Sequence, residues 1–143
     1  MHFLTPKECA GWCARHSVPL SSAQLPGEPA AVGMPTVRFG VPSSALGLVA
    51  FSSTLGGWFD DDSERLLWIT GQHHGLQLFD LYRRLRRSHG DDANIRDCPG
   101  HLFGGSELEH LDSFLILALL TGVEGCLISS SGEQLFISGS GWL

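Results

Sequence analysis

Residues 66–121 read LLWITGQHHGLQLFDLYRRLRRSHGDDANIRDCPGHLFGGSELEHLDSFLILALLT, and they carry the clearest signals of secondary structure in the chain. Its start mixes Leu, Trp, Ile and Thr ahead of a polar segment, which predicts a strand over residues 65–70. A helix over residues 76–88 comes next, because four apolar side chains recur at intervals of three and four residues and form one stripe. They are Leu78, Leu81, Tyr82 and Leu85. We expect this stripe to pack on the sheet.

The second half of the same stretch predicts a turn and a long buried helix. Pro99-Gly100 favours a turn, from which the following residues anchor the chain in the core. Ser106 opens a predicted capping box, with Glu109 three residues later, at the start of the last helix. That helix is apolar on every side over residues 114–120, so we expect it to be the central helix of the core. Gly122 is expected to end it.

Strands are predicted on both sides of this stretch. Residues 36–41 and 46–54 are apolar and bounded by turn signals, and with residues 65–70 they favour an antiparallel meander. Residues 125–131 and 133–138 predict a final hairpin that turns at Ser131-Gly132.

The N-terminal segment predicts one helix and a long connection. Thr5, Pro6 and Glu8 form a hydroxyl cap, a proline at the first helical position and an acidic partner three residues after the cap, which favours a helix from Thr5 to His16. Cys9 and Cys13 share one face of that helix and are expected to pack in the core. Residues 17–35, rich in Pro, Gly, Ser and Ala, are expected to form a long surface connection.

Together these elements predict one domain over residues 1–143, of class α+β, with an antiparallel sheet of about five strands packed against two or three helices. The chain has 143 residues, 43% hydrophobic residues and a formal net charge of −6. No apolar run is long enough to cross a bilayer or to direct secretion, so a cytoplasmic protein without a membrane partner is expected. The acidic balance argues against nucleic acid as a partner.

No motif in the sequence predicts a cofactor or a catalytic mechanism. The nucleophile elbow, the phosphate-binding loop and the dinucleotide-binding turn are all missing, so no cofactor is expected. Two readings based on histidine and cysteine stay open: a small enzyme, and a zinc site. The enzyme hypothesis uses His73, His74, Cys98 or His101. The zinc hypothesis adds either His16 or the pair Cys98 and His101 to Cys9 and Cys13.

Four short segments of the chain carry a resemblance to a known class of proteins. They are Leu67-Trp68-Ile69, the spaced pattern from Tyr82 to Asp91, Pro99 to Phe103, and Ser113-Phe114-Leu115. In these segments the chain resembles small bacterial proteins similar in size and style to the immunity proteins that accompany polymorphic or contact-delivered toxins. The resemblance implies a non-enzymatic protein that binds and neutralises a cognate toxin domain.

Such an inhibitor catalyses no reaction and needs only a surface that binds its toxin. Acidic side chains next to aromatic ones are suited to binding a basic partner. The predicted partner-binding residues are Trp58, Phe59, Asp60, Asp61, Asp62, Glu64, His73, His74, Asp91 and Asp92. Trp58 and Phe59 serve equally well as core residues. An alternative is a scaffold or regulatory subunit that binds through the basic face of residues 83–87, which carries Arg83, Arg84, Arg86 and Arg87.

Overall fold

A computed structural model of the chain describes residues 1–18, 40–58, 63–72, 76–90, 92–121, 123–132 and 134–137. The strands are β1 (His2–Leu4), β2 (Arg65–Gln72), β3 (Gly100–Phe103), β4 (Val123–Ser129) and β5 (Gln134–Ile137). The helices are α1 (Pro6–Arg15), α2 (Ala45–Gly56), α3 (Leu76–Ser88) and α4 (Leu108–Thr121). The fold is α+β, as predicted.

The five strands form one antiparallel sheet in the order β1-β3-β2-β4-β5. The central strand β2 has both faces covered, so its apolar residues run continuously instead of alternating with polar ones. Leu67 and Ile69 point to the side of α2, α3 and α4, whereas Leu66 and Trp68 point to the side of α1. The molecule therefore has helices on both faces of the sheet and two separate apolar clusters.

Helix α1 covers one face of the sheet, and its sequence explains why. Thr5 Oγ1 accepts a hydrogen bond from the Glu8 amide while the Glu8 carboxylate accepts one from the Thr5 amide, which is the predicted capping box. Cys9 and Cys13, one turn apart, are fully buried with Trp12 between them. The predicted helix and its buried cysteine face are both confirmed.

Helix α4 lies at the centre of the other cluster. Aromatic side chains on β1, β3 and α3 surround its Phe114 ring. The predicted capping box at Ser106 is wrong, because the helix begins at Leu108. The carboxylate of Glu107 instead accepts a hydrogen bond from the Gly104 amide, which ties the preceding turn to the helix start.

The second predicted strand is wrong. Residues 46–54 lie in helix α2, whose N-cap is Ser44, with its hydroxyl accepting a bond from the Gly47 amide. Of the predicted strand 36–41, Gly40 and Val41 are not in a strand and the other residues lie outside the described part. A meander of these segments is therefore not formed, and β2 pairs with β3 and β4 instead.

Two short strands were missed. Residues 100–103, predicted as a turn with anchoring side chains, form β3, and His2–Leu4 forms the edge strand β1 beside it. Gly100 is needed here because a Cβ at this position would collide with the sulfur of Cys9. The predicted final hairpin is confirmed, and Gly132 in its turn has a φ of +99°, which glycine adopts at little cost. The predicted end of the last helix at Gly122 lies outside the described residues.

Candidate functional site

The first predicted contact residue, Trp58, is exposed. It follows the C-terminus of α2, and 55% of its surface is accessible. Of the two predicted positions for Trp58, in the core or on the surface, the structure shows the surface position. Seven other predicted contact residues lie outside the described part of the chain: Phe59, Asp60, Asp61, Asp62, His73, His74 and Asp91.

Glu64, the next predicted contact, is exposed but held by α1. Its Oε2 accepts a hydrogen bond from the indole Nε1 of Trp12 at 3.0 Å and lies 3.8 Å from the imidazole Nε2 of His16. The His16 ring in turn lies against Trp12, with ring centroids 4.4 Å apart. Glu64 therefore joins β2 to α1 and has a structural role besides any contact with a partner.

Asp92, the last predicted contact, lies on the other side of the molecule. Its Oδ1 is 3.2 Å from Nε of Arg87, and both side chains are exposed. Because α1 and α3 cover opposite faces of the sheet, Glu64 and Asp92 do not belong to one surface. The structure does not bring these two acidic positions together.

The predicted apolar stripe of α3 is confirmed at Tyr82 and Leu85 and wrong at Leu81, and the side chain of Leu78 lies outside the described part. Leu81 is exposed, whereas Tyr82 and Arg86 are buried and Leu85 packs partly against the core. The Arg86 guanidinium donates to the carbonyl oxygen of Cys98 at 2.8 Å and lies over the Phe3 ring, 4.8 Å from its centroid. Arg86 is therefore not part of the basic face predicted for residues 83–87, and Arg87 of that face contacts Asp92.

A surface that sequence reasoning missed is formed by α2. The buried side of this helix contains Leu48, Ser52 and Leu55, and Leu55 belongs to the core cluster that contains α4. The other side carries no charge and exposes Leu46 at 81% and Val49 at 49%. Isolated exposed apolar residues are ordinary, but neighbouring ones on one helix face often mark a binding surface. The signal in the sequence was the absence of any charged residue between Ala45 and Gly56.

His101 is a polar residue buried in the core, and it is also one of the residues named in the enzyme hypothesis. Its Nδ1 lies 3.2 Å from the Leu67 carbonyl, and its Nε2 lies 3.0 Å from the Tyr82 hydroxyl. A carbonyl only accepts, so Nδ1 carries the proton and Nε2 accepts from Tyr82. Burial, with the nearby Arg86 charge, lowers the pKa of His101 to about 3. His101 is thus a neutral, enclosed imidazole.

Two further histidines meet near the start of α4. The rings of His89 and His110 lie with centroids 4.6 Å apart, and His89 also packs near Phe114. Partial burial and the neighbouring His110 lower the pKa of His89. The adjacent Glu107 bonds the Met1 amino group and the Gly104 amide, which lowers the pKa of its carboxyl group. Nothing in the sequence spacing of His89 and His110 predicted this pair.

The cysteines are free thiols. Cys9, Cys13 and Cys126 are buried around α1 and β4, and burial raises their pKa values to about 12, 11 and 12. Such thiols are poor nucleophiles at neutral pH, because the thiolate is the reactive form. Within the ranges the structure describes, no three His, Cys, Asp or Glu side chains are grouped to hold a metal ion.

Comparisons of this chain with protein-family models, curated proteins and solved structures found no match. Among the helices that the structure describes, none has the length and apolar character needed to span a bilayer.

Proposed function

We propose that this protein is a non-enzymatic binding protein that neutralises a bacterial toxin by occupying a surface of the toxin domain. The observation that carries the proposal is the exposed, uncharged side of α2, with Leu46 and Val49 exposed in its first turns and Trp58 exposed just beyond its C-terminal end. A helix with no charged residue normally lies inside a protein, yet half of this one faces outward. A partner that covers it removes that apolar surface from water.

Trp58 is the residue on which we expect this interface to depend most. Tryptophan is enriched among the few residues that dominate binding energies, because it buries a large, rigid surface at a low entropic cost. Trp58 follows the C-cap Gly57 at the C-terminal end of α2, and 55% of its surface is accessible. Aromatic residues are enriched at the buried centres of protein interfaces.

The chemistry of the interior supports a role in binding. The imidazole of His101 is enclosed and hydrogen-bonded on both nitrogens, and three of the thiols are buried. An inhibitor needs none of these groups to react. The net charge of −6 favours association with a basic partner, since electrostatic attraction raises the rate of encounter. Free cysteines suit the reducing cytoplasm, where an immunity protein meets an incoming toxin.

The test is co-expression with the product of the adjacent gene, where that gene encodes a secreted protein with a toxin-like C-terminal domain. The wild-type protein should restore growth of cells that express the toxin domain, and the two proteins should co-purify. Trp58→Ala should weaken the complex at least tenfold, because loss of a tryptophan anchor costs about 2 kcal/mol or more.

Leu81→Ala is the matched control. Leu81 is an exposed apolar residue of similar accessibility, but it lies on α3 and away from α2. Its replacement should leave rescue and co-purification unchanged. Absence of both rescue and a complex for the wild-type protein contradicts the proposal.

A further inference from the structure

Helix α3 concentrates positive charge on its outer side. Four of the nine basic residues of the chain lie within residues 83–87, although the net charge of the protein is −6. Arg86 is buried, whereas Arg83, Arg84 and Arg87 are exposed. One short surface of an acidic protein is therefore basic.

The three exposed arginines form one stripe along the helix. Arg83 and Arg87 are four residues apart and Arg84 and Arg87 are three apart, so these side chains are neighbours on the helix surface. The helix dipole favours positive charge only in the last turn, which contains Arg86 and Arg87. It does not account for Arg83 and Arg84, which lie further from the end of the helix.

An exposed leucine borders this stripe. Leu81 is 48% exposed and lies three residues before Arg84, on the same side of α3. Asp80 is also exposed, and it is the one acidic residue in the sequence of α3. The outer side of α3 therefore presents three guanidinium groups and one leucine, with a single carboxylate about one turn before the arginines.

These arginines are accessible to a partner. Within the part of the chain that the structure describes, neither Arg83 nor Arg84 forms an ion pair. Arg87 Nε lies 3.2 Å from Asp92 Oδ1, but both side chains are exposed, and such pairs add little stability because water and salt screen them. A carboxylate of a partner protein can therefore take the place of Asp92.

The buried side of α3 fixes the orientation of this surface. Arg86 donates through Nη2 to the carbonyl oxygen of Cys98 at 2.8 Å, and the Tyr82 hydroxyl donates to His101 Nε2 at 3.0 Å. Tyr82 and Arg86 are one turn apart, so the two contacts oppose rotation of the helix about its axis. A surface that is already ordered loses less conformational entropy when a partner binds.

We propose that the outer side of α3 binds an acidic segment of a partner protein, in which aspartate or glutamate is accompanied by an apolar residue that contacts Leu81. The planar guanidinium group donates two parallel hydrogen bonds to a carboxylate, which favours arginine for this recognition. The site goes beyond the proposed function, because it lies on a different helix from the toxin contact and serves a second partner.

Two other occupants fit this surface less well. A second copy of the chain, placed with its α3 against this α3, would bring arginines against arginines. The net charge of −6 repels the phosphates of a nucleic acid over most approaches, and an exposed leucine adds nothing to the binding of a phosphate backbone.

The probe is a fluorescein-labelled peptide of about 11 residues, or roughly three helical turns, with glutamates and leucines on one face. A matched peptide has glutamine in place of each glutamate. In a fluorescence anisotropy titration, the wild-type protein should bind the glutamate peptide at least about tenfold more tightly than the glutamine peptide. Equal binding of the two peptides, or no binding of either, overturns the proposal. So does tighter binding of a single-stranded oligonucleotide of the same length.

Paired variants show whether the arginines of α3 form the site. The double variant Arg84→Gln, Arg87→Gln should weaken binding of the glutamate peptide about tenfold, while glutamine keeps a good helix propensity. Lys7→Gln, Arg15→Gln is the matched control, because it removes the same charge from exposed positions on α1, across the sheet. The control should leave the titration nearly unchanged. Equal weakening by the two double variants would show attraction by net charge alone and overturns the proposal.

Growth rescue separates this site from the toxin contact proposed on α2. The Arg84, Arg87 variant should rescue cells as well as the wild type, and Trp58→Ala should bind the glutamate peptide with unchanged affinity. Loss of rescue in the Arg84, Arg87 variant overturns the assignment of α3 to a second partner. If the wild type binds the glutamate peptide through these arginines but rescues no cells, the toxin-neutralising function fails and the α3 site stands.

Discussion

His101 should make the stability of this protein depend on pH in a defined window. In the folded protein, burial and the charge of Arg86 lower the pKa of His101 to about 3, from an ordinary value of 6.5. Between these two values the unfolded chain binds a proton at His101 and the folded protein does not. Above pH 6.5 the contribution of His101 to stability is therefore constant. As the pH falls below that value, the folded state loses stability progressively.

The size of this loss follows from the proton-binding difference. Each pH unit below 6.5 costs about 1.4 kcal/mol, so about 2 kcal/mol is lost by pH 5. Against a typical free energy of unfolding of about 5 to 15 kcal/mol, this loss is readily measured. The lowered pKa of His89, whose ring is partly buried beside His110, acts in the same direction. The pKa values of Glu8 and Glu107 are lowered from 4.5, so their effects appear mainly at more acidic pH.

The assay is urea unfolding, followed by tryptophan fluorescence, at several pH values between about 7.5 and 5, where carboxylate effects are small. His101→Gln removes the titrating group while keeping polar atoms in the cavity. This variant should be less stable than the wild type at neutral pH, yet it should lose about 2 kcal/mol less between the two ends of the range. His89 is present in both proteins, so its contribution cancels in the comparison.

His2→Gln is the control for this experiment, because His2 is exposed on the edge strand β1. Its pH profile should parallel that of the wild-type protein. Equal losses of unfolding free energy in His101→Gln and the wild type over this range would contradict a lowered pKa of His101. So would a wild-type stability that does not fall at all.

Three further predictions concern single contacts. Thr5→Ala should lower the free energy of unfolding by about 0.5 to 2 kcal/mol in urea titrations, because the amide of Glu8 loses its cap, whereas an unchanged midpoint would contradict the observed capping box. Gly100→Ala should destabilise the protein by about 1 to 3 kcal/mol, because the new methyl group collides with the Cys9 sulfur, and adding Cys9→Ala should recover part of that loss. In a thiol-labelling assay at neutral pH, Cys98 should react first because it is only half-buried, and equally fast labelling of all the cysteines would show that the other thiols are not enclosed.

Local signals in the sequence predicted the elements that depend on neighbouring residues. Thr5 and Glu8 fix the start of α1, and Gly132 fixes the final turn, because capping bonds and a positive φ need only a few adjacent residues. Residues 46–54 show where local signals fail. A short apolar run without charges fits a buried strand and a buried helix equally well, so periodicity could not identify α2. As a result, the exposed, uncharged side of α2 was not predicted, since it exists only when this segment is a helix.

The contact residues proposed from sequence illustrate the same limit. Glu64 and Asp92 are both acidic and lie next to predicted elements, but the sheet places them beside α1 and α3 on opposite faces. Their separation depends on the strand order, which no single segment encodes. The neighbouring residues in the sequence fit Trp58 equally well on the surface and in the core. Only the packing of α2 showed that it is exposed.

The fold class, the capped helix α1, the central strand β2, the helices α3 and α4, and the final hairpin were all predictable from sequence patterns. That α2 is a helix, that Arg86 is buried while Leu81 is exposed, and that His101 is neutral became clear only from the packed structure. The physical reason is the distance along the chain between the residues that set each property. Caps, turns and periodic stripes are set by residues within about one or two helical turns, whereas burial and pKa are set by residues that pairing and packing bring from distant parts of the chain.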